Sequence, residues 1–129
     1  MVLVDSSVWI EFFKRPKPLD LLALVELDEI VTCLPVVQEV LQGFREESAY
    51  RKAKVALLSF PIVDAPLSRD VFEAAIDLYR NARRAGVTVR SSVDCLIAAS
   101  ATRHGLEVLH RDRDYANLAK VSSLRQRAV

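Results

Sequence analysis

Three apolar residues, Val2 to Val4, stop abruptly at Asp5, and a helical run from Val8 to Phe13 follows almost at once. So short an apolar segment reads as a buried strand feeding directly into a helix. The pattern returns later. Glu29 to Cys33 (EIVTC) reads as a second strand, after which Pro35 opens a helix running to Gly43, with proline at its start and glycine at its end. Leu106 to Leu109 reads as a further strand, between a helix over Ser92 to His104 and a short helix over Asp114 to Leu118. Strands of this kind alternating with helices predict an α/β domain with a mainly parallel sheet. In such sheets ligands gather beyond the carboxyl ends of the strands. Asp5 and Asp112 each follow a strand, so both are expected on one edge.

The remaining segments fill in the helices. Pro16 and Pro18 end the first one, and Leu19 to Leu27 forms another helical stretch. Glu46 to Leu58 is helical and Phe60 to Val63 is a candidate short strand. Ser68 starts a long amphipathic helix through Val71, Ala74, Ala75, Leu78 and Ala82 that stops at Gly86. A basic tail closes the chain, and no repeat, linker or low-complexity segment interrupts it. At 129 residues one domain, 1–129, is expected.

Eighteen Lys and Arg against seventeen Asp and Glu leave a net charge of +1, far from the strong positive balance of a binder that relies on bulk charge. A phosphate-rich partner would have to meet a local patch. Cys33 and Cys95 are too few for a disulfide framework and lack metal-ligand spacing, which fits small buried residues of a reducing compartment. The amino-terminal stretch has an acid at position 5 and no basic region, unlike a signal peptide or a membrane span. A cytoplasmic location with no membrane partner is expected.

Four acids are candidates for chemistry, and each also has a plain reading. Asp5 suits the N-cap of the helix that follows it. Asp94 fits a capping box begun at Ser91, yet Ile97, Ala98 and Ala101 continue from it as an apolar stripe. A carboxylate heading such a stripe is desolvated, which is unfavourable without a cation or donor. Glu39 falls beside the apolar face of Val37, Val40, Leu41 and Phe44, a place solvated glutamates also occupy. Asp112 and Asp114 lie in HRDRDY, where acids also make turns. Gathered together, however, such carboxylates would repel by about 4 kcal/mol per pair at 4 Å and an effective dielectric of 20. Mg2+ or Mn2+ would relieve that repulsion, and such ions activate water and stabilise phosphodiester charge. His104 and His110 are the only histidines, and HExxH, GxSxG and GxxxxGK[ST] are all absent.

The blocks VLVDSSVWIEFF, LPVVQEVLQGF and SSVDCLIAASATRHGLEVLHRDRDY together resemble those of PIN-domain ribonucleases, and within them the VapC-type toxins of toxin–antitoxin pairs. The resemblance spans Val2 to Tyr115 and is most specific in its final run. It implies a three-layer α/β/α sandwich and Mg2+- or Mn2+-dependent endonucleolytic cleavage of RNA. It further implies a small antitoxin that blocks the site, and a homodimer. Asp5, Glu39, Asp94 and Asp112 would be the catalytic acids, with Asp5, Asp94 and Asp112 on the metal. Ser7 and Asp114 would support them. Where many relatives carry Thr or Ser two residues before the fourth acid, this chain has His110, which leaves that hydroxyl contact open. Arg84, Arg90 and Arg111 are candidates for RNA phosphates. Trp9, Phe12 and Phe13 fit either a core or a partner surface. Two other classes compete. A phosphoacceptor receiver domain needs an acid ending a central strand near mid-chain and a lysine after the last strand, but here Asp64 precedes Ala65-Pro66 and His110-Arg111 stands at the lysine position. The other is a catalytically silent binding module of the same fold.

Overall fold

A computed structural model describes residues 1–129. The strands are β1 (Val2–Val4), β2 (Ile30–Val31), β3 (Glu107–His110) and β4 (Arg125–Ala128). They pair in parallel throughout, in the order β2-β1-β3-β4. The helices are α1 (Ser6–Phe12), α2 (Leu34–Leu41), α3 (Glu47–Leu58), α4 (Arg69–Arg84), α5 (Ser92–Arg103) and α6 (Arg113–Ala119). The helices fall into two contacting sets, α1 to α3 and α4 to α6, and cover the sheet as an α/β/α sandwich. No helix is long and apolar enough to cross a membrane.

Cover on both faces explains the strand composition. Leu3, Val4, Val108 and Leu109 have no exposed surface, as expected for parallel strands packed between helix layers. Truncating any of them to Ala would cost about 2–5 kcal/mol. Cys33 and Cys95 are buried free thiols, and burial pushes them up to about 12 and 11, so both are inert small core residues. Helix starts follow their caps. The Ser68 and Ser91 hydroxyls accept the N–H groups of Val71 and Asp94 at 3.4 and 3.3 Å. Gly86 and Gly105 end α4 and α5 with φ of 71° and 65°, where a side chain would be strained.

Three expectations need correction. Leu19 to Leu27 is not a helix but two 3-10 turns, Leu21–Ala23 and Leu27–Glu29. Leu21 and Val25 enter the core while Leu22 and Leu27 stay exposed, so too little apolar surface is buried to hold a longer helix. Glu29 accordingly closes a turn, and β2 is shorter than predicted. Phe60 to Val63 reduces to one parallel bridge between Thr32 and Ile62, because Pro61 has no N–H to extend a ladder. The basic tail is no tail: it forms β4, paired with β3 from Glu107 to His110.

Candidate active site

The strand order turns at β1 and β3, with β2 on one side and β4 on the other. The crevice between their carboxyl ends is where a parallel α/β sheet binds ligands. The chain delivers its acids there. Asp5 leaves β1, its amide bonds Leu109 of β3 at 2.9 Å, and its Oδ2 caps α1 by accepting the Ser7 N–H at 3.0 Å. Asp5 thus caps α1 from the edge of that crevice. Asp112 leaves β3 and caps α6 by accepting the Asp114 N–H at 3.0 Å. Asp94, the third residue of α5, faces the same crevice at 4% exposure.

Asp94, Asp112 and Asp114 can each place a carboxylate oxygen within 4.8 Å of the other two. Asp5 is joined to this group through the buried Tyr115. Its phenol donates to Asp5 Oδ1 at 2.6 Å and also lies 3.3 Å from Asp94 Oδ1. Burial, then the charges of Asp5 and Asp94, raise the Tyr115 phenol well above its usual range, so it remains a donor. Glu39 approaches from α2, half-buried, and accepts the Ser6 hydroxyl at 3.1 Å. Burial raises its carboxyl above the ordinary value, the Ser6 bond partly offsets this, and the charges of Asp5 and Asp112 add to it.

Asp94 is strongly perturbed. Burial above all, then the hydrogen bond and charge of Asp112, then Asp5 and Asp114, push its carboxyl up to about 9. Its Oδ2 is buried and has no hydrogen-bond partner. An orphaned carboxylate oxygen among other carboxylates is the environment a hard divalent cation relieves, and an all-oxygen donor set suits Mg2+ or Mn2+ rather than a soft metal. Asp114 differs from its neighbours because its oxygens are already used. Oδ2 accepts the N–H groups of Arg90 and Ser91, each at 3.0 Å, and Oδ1 lies 3.5 Å from the Arg90 guanidinium. It pins the loop before α5 and so sets where Asp94 begins that helix.

The supporting residues sort by distance. The Ser7 hydroxyl donates to Asp5 Oδ2 and accepts the Arg111 N–H at 2.9 Å, tying β1 to the turn after β3. Arg90 reaches Asp112 Oδ1 at 3.7 Å, and the Arg111 side chain turns to Glu11, also at 3.7 Å. Arg84 is exposed in the last turn of α4 and pairs with none of the acids. The sequence did not disclose Tyr115, Ser6 or Arg113. Arg113 lines a cleft beside Asp114 together with Arg90 and Asn117. A phenol or a second serine carries no pattern by itself. The one available signal was that Ser6 and Tyr115 directly adjoin acids already singled out. Trp9 is core, whereas Phe13 lines an apolar groove with Ile10, Val40 and Phe44 beside Glu39.

Carboxylates gathered at the switch point of a covered parallel sheet define a class: α/β/α domains with an acidic pocket that could hold a metal ion. The strand order alone does not set it apart from receiver domains, which share it. The sequence does: the PIN domain family model matches residues 2–121, and the chain belongs to that family. Ribonuclease VapC11 of Mycobacterium tuberculosis is 36% identical over 129 residues, covering 96% of each chain. Among solved structures, VapBC-5 of the VapBC family of toxin–antitoxin systems from Mycobacterium tuberculosis aligns at TM-score 0.74 and 22% identity, over 99% of this chain and 98% of that one. VapC20 of the same organism, a sarcin–ricin loop cleaving toxin, aligns at TM-score 0.72 and 18% identity, over 97% and 99%.

Proposed function

We propose that this protein is a Mg2+- or Mn2+-dependent endoribonuclease acting in the cytoplasm as the toxin of a toxin–antitoxin pair. The observation that carries the proposal is the buried, unpartnered Oδ2 of Asp94 among the carboxylates of Asp5, Asp112 and Asp114. The ribonuclease relatives supply the substrate class.

In this reading Asp94, Asp112 and Asp5 hold the cation. When bound, the cation supplies charge stabilisation for the phosphodiester and makes water acidic enough to attack near neutral pH. Tyr115 keeps Asp5 and Asp94 apart yet facing one crevice by giving each an O–H contact. Glu39, with its raised carboxyl and its Ser6 tether, would be the group that takes a proton from the attacking water. Asp114 positions the loop bearing Arg90, and Arg90, Arg111 and Arg113 offer cations to the phosphates flanking the cut. Arg84, exposed in the last turn of α4, would be a further cation for a bound RNA.

The apolar groove of Ile10, Phe13, Val40 and Phe44 opens beside Glu39. It suits an antitoxin segment that covers the site with an apolar anchor. Phe72, Ile76 and Tyr79 form an exposed apolar stripe on α4, which supports a homodimer in which they are covered.

The test is cleavage of single-stranded RNA with Mg2+, Mn2+ or chelator, for the wild type, Asp94→Asn and Asp5→Ala. Cation-dependent cleavage lost in both variants supports the reading. Cleavage that survives both substitutions sinks the site assignment. No cleavage of any RNA together with no cation binding by calorimetry identifies a silent module of the same fold.

A further inference from the structure

His110 is a buried histidine, 2% exposed, at the end of β3, two residues before Asp112. Both of its ring nitrogens are in use. The Asp112 N–H donates to Nδ1 at 3.1 Å, and Nε2 lies 2.6 Å from Gln126 Oε1. A backbone N–H can only donate, so Nδ1 must be bare and the ring proton must sit on Nε2. The Gln126 carbonyl oxygen is then the one end of that amide able to accept it. Gln126 lies on β4 opposite Val108, on the same sheet face as His110, and the Val129 N–H closes the pairing on the His110 carbonyl at 2.9 Å. The ring also packs on Tyr115, centroids 5.1 Å apart, beneath the phenol that bridges Asp5 and Asp94.

We propose that Gln126 and His110 form a positioning pair for the acidic site. Gln126 Oε1 accepts the Nε2–H and holds the ring in place, His110 Nδ1 holds the Asp112 backbone N–H, and β4 thereby becomes part of the nuclease machinery. The proposal rests on the proposed cation site for its affinity readout and on the nuclease reading for its activity readout; the ring tautomer is read independently of both. Nothing on the Glu107, Leu109 face of β3 does this, because Arg125 and Arg127 of β4 point there, with Arg127 paired to Glu107 at 3.2 Å. Groups that orient a metal-ligating residue from behind contribute about 10- to 100-fold to affinity or rate.

Two substitutions in the full chain separate the halves of the pair. An Asn side-chain oxygen falls near the histidine Nδ1 position, and a Gln side-chain nitrogen falls near the Nε2 position. His110→Asn therefore keeps the acceptor for Asp112, and His110→Gln keeps only the contact to Gln126. The measurements are kcat and KM on single-stranded RNA, Mn2+ affinity by calorimetry, and the long-range 1H–15N spectrum of the His110 ring. The expected spectrum is that of a single Nε2–H tautomer. His110→Gln should lower kcat and Mn2+ affinity by about 10- to 100-fold with KM little changed, while His110→Asn stays close to wild type. Equal losses in the two variants, no loss in either, or an Nδ1–H tautomer would overturn the proposal. If circular dichroism shows both variants unfolded, Gln126→Leu decides. It should leave the Nε2–H without its acceptor, loosen the ring and weaken Mn2+ binding, and unchanged affinity would refute the pairing. If the wild type cuts no RNA but Mn2+ affinities follow the expected order, the nuclease reading fails and the positioning pair stands.

Discussion

Replacing Asp94 with Asn keeps the shape of the side chain and removes its ability to ionise. In the unfolded chain this carboxyl ionises near its ordinary value of 3.8, whereas burial and the neighbouring carboxylates push it up to about 9 in the cation-free fold. Between those values the folded state holds a proton that the unfolded state has released. The stability this group contributes is therefore intact below about pH 4 and is lost progressively as pH rises toward about 9. One proton corresponds to about 1.4 kcal/mol per pH unit, so on the order of 4 kcal/mol is lost between pH 4 and 7, as an upper bound. Urea melts of the cation-free protein across roughly pH 5 to 8 should show this decline in the wild type and a flatter curve in Asp94→Asn. Added Mn2+ should restore wild-type stability at the upper end, because the cation replaces the proton, and should do little for the variant. Parallel pH curves for the two proteins, or equal stabilisation of both by Mn2+, would refute the reasoning.

Other perturbations address single links. Tyr115→Phe removes the donor shared by Asp5 and Asp94; it should cost about 1–3 kcal/mol in thermal or urea unfolding and lower kcat. Glu39→Gln should abolish most RNA cleavage while leaving the melting temperature nearly unchanged, since the side chain is only half-buried and keeps a Ser6 contact. A variant that cuts normally would remove Glu39 from the proton-transfer role. Arg90→Ala breaks ion pairs whose arginine is 61% exposed, so stability should fall by less than about 1 kcal/mol. RNA binding should weaken with a salt dependence shallower by about one phosphate contact, read from KM across a salt series.

How much the sequence disclosed depended on whether a residue's neighbours carried a period. Asp94 was legible because Ile97, Ala98 and Ala101 put it at the head of a stripe that proves buried. Asp5 and Asp112 were legible as strand ends in an alternating α/β pattern. Glu39 was not: its wheel position looked like a solvated face, and its contact with Ser6 crosses from α2 to α1. Asp114 was anticipated in a supporting place, but not its grip on the Arg90–Ser91 backbone. β4 escaped because Arg125-Gln126-Arg127-Ala128 has no apolar alternation, and at the sheet edge it needs none. The Leu19 to Leu27 error has the opposite cause, a leucine-rich run whose exposed members found no surface to cover.

Asp5 and Tyr115 meet across 110 residues of chain, and this long reach affects how the activity arises during synthesis. The first strand made takes an inner place in the sheet and waits for β3 and β4 to complete its surroundings. Pairing of this non-local kind is intrinsically slow to form. A nascent chain arrested before Arg125 should therefore be protease-sensitive and unable to cut RNA, the one that carries its own message included. Activity should appear in a single step when β4 docks. A chain built this way would complete the surroundings of its first strand only once its last strand is made.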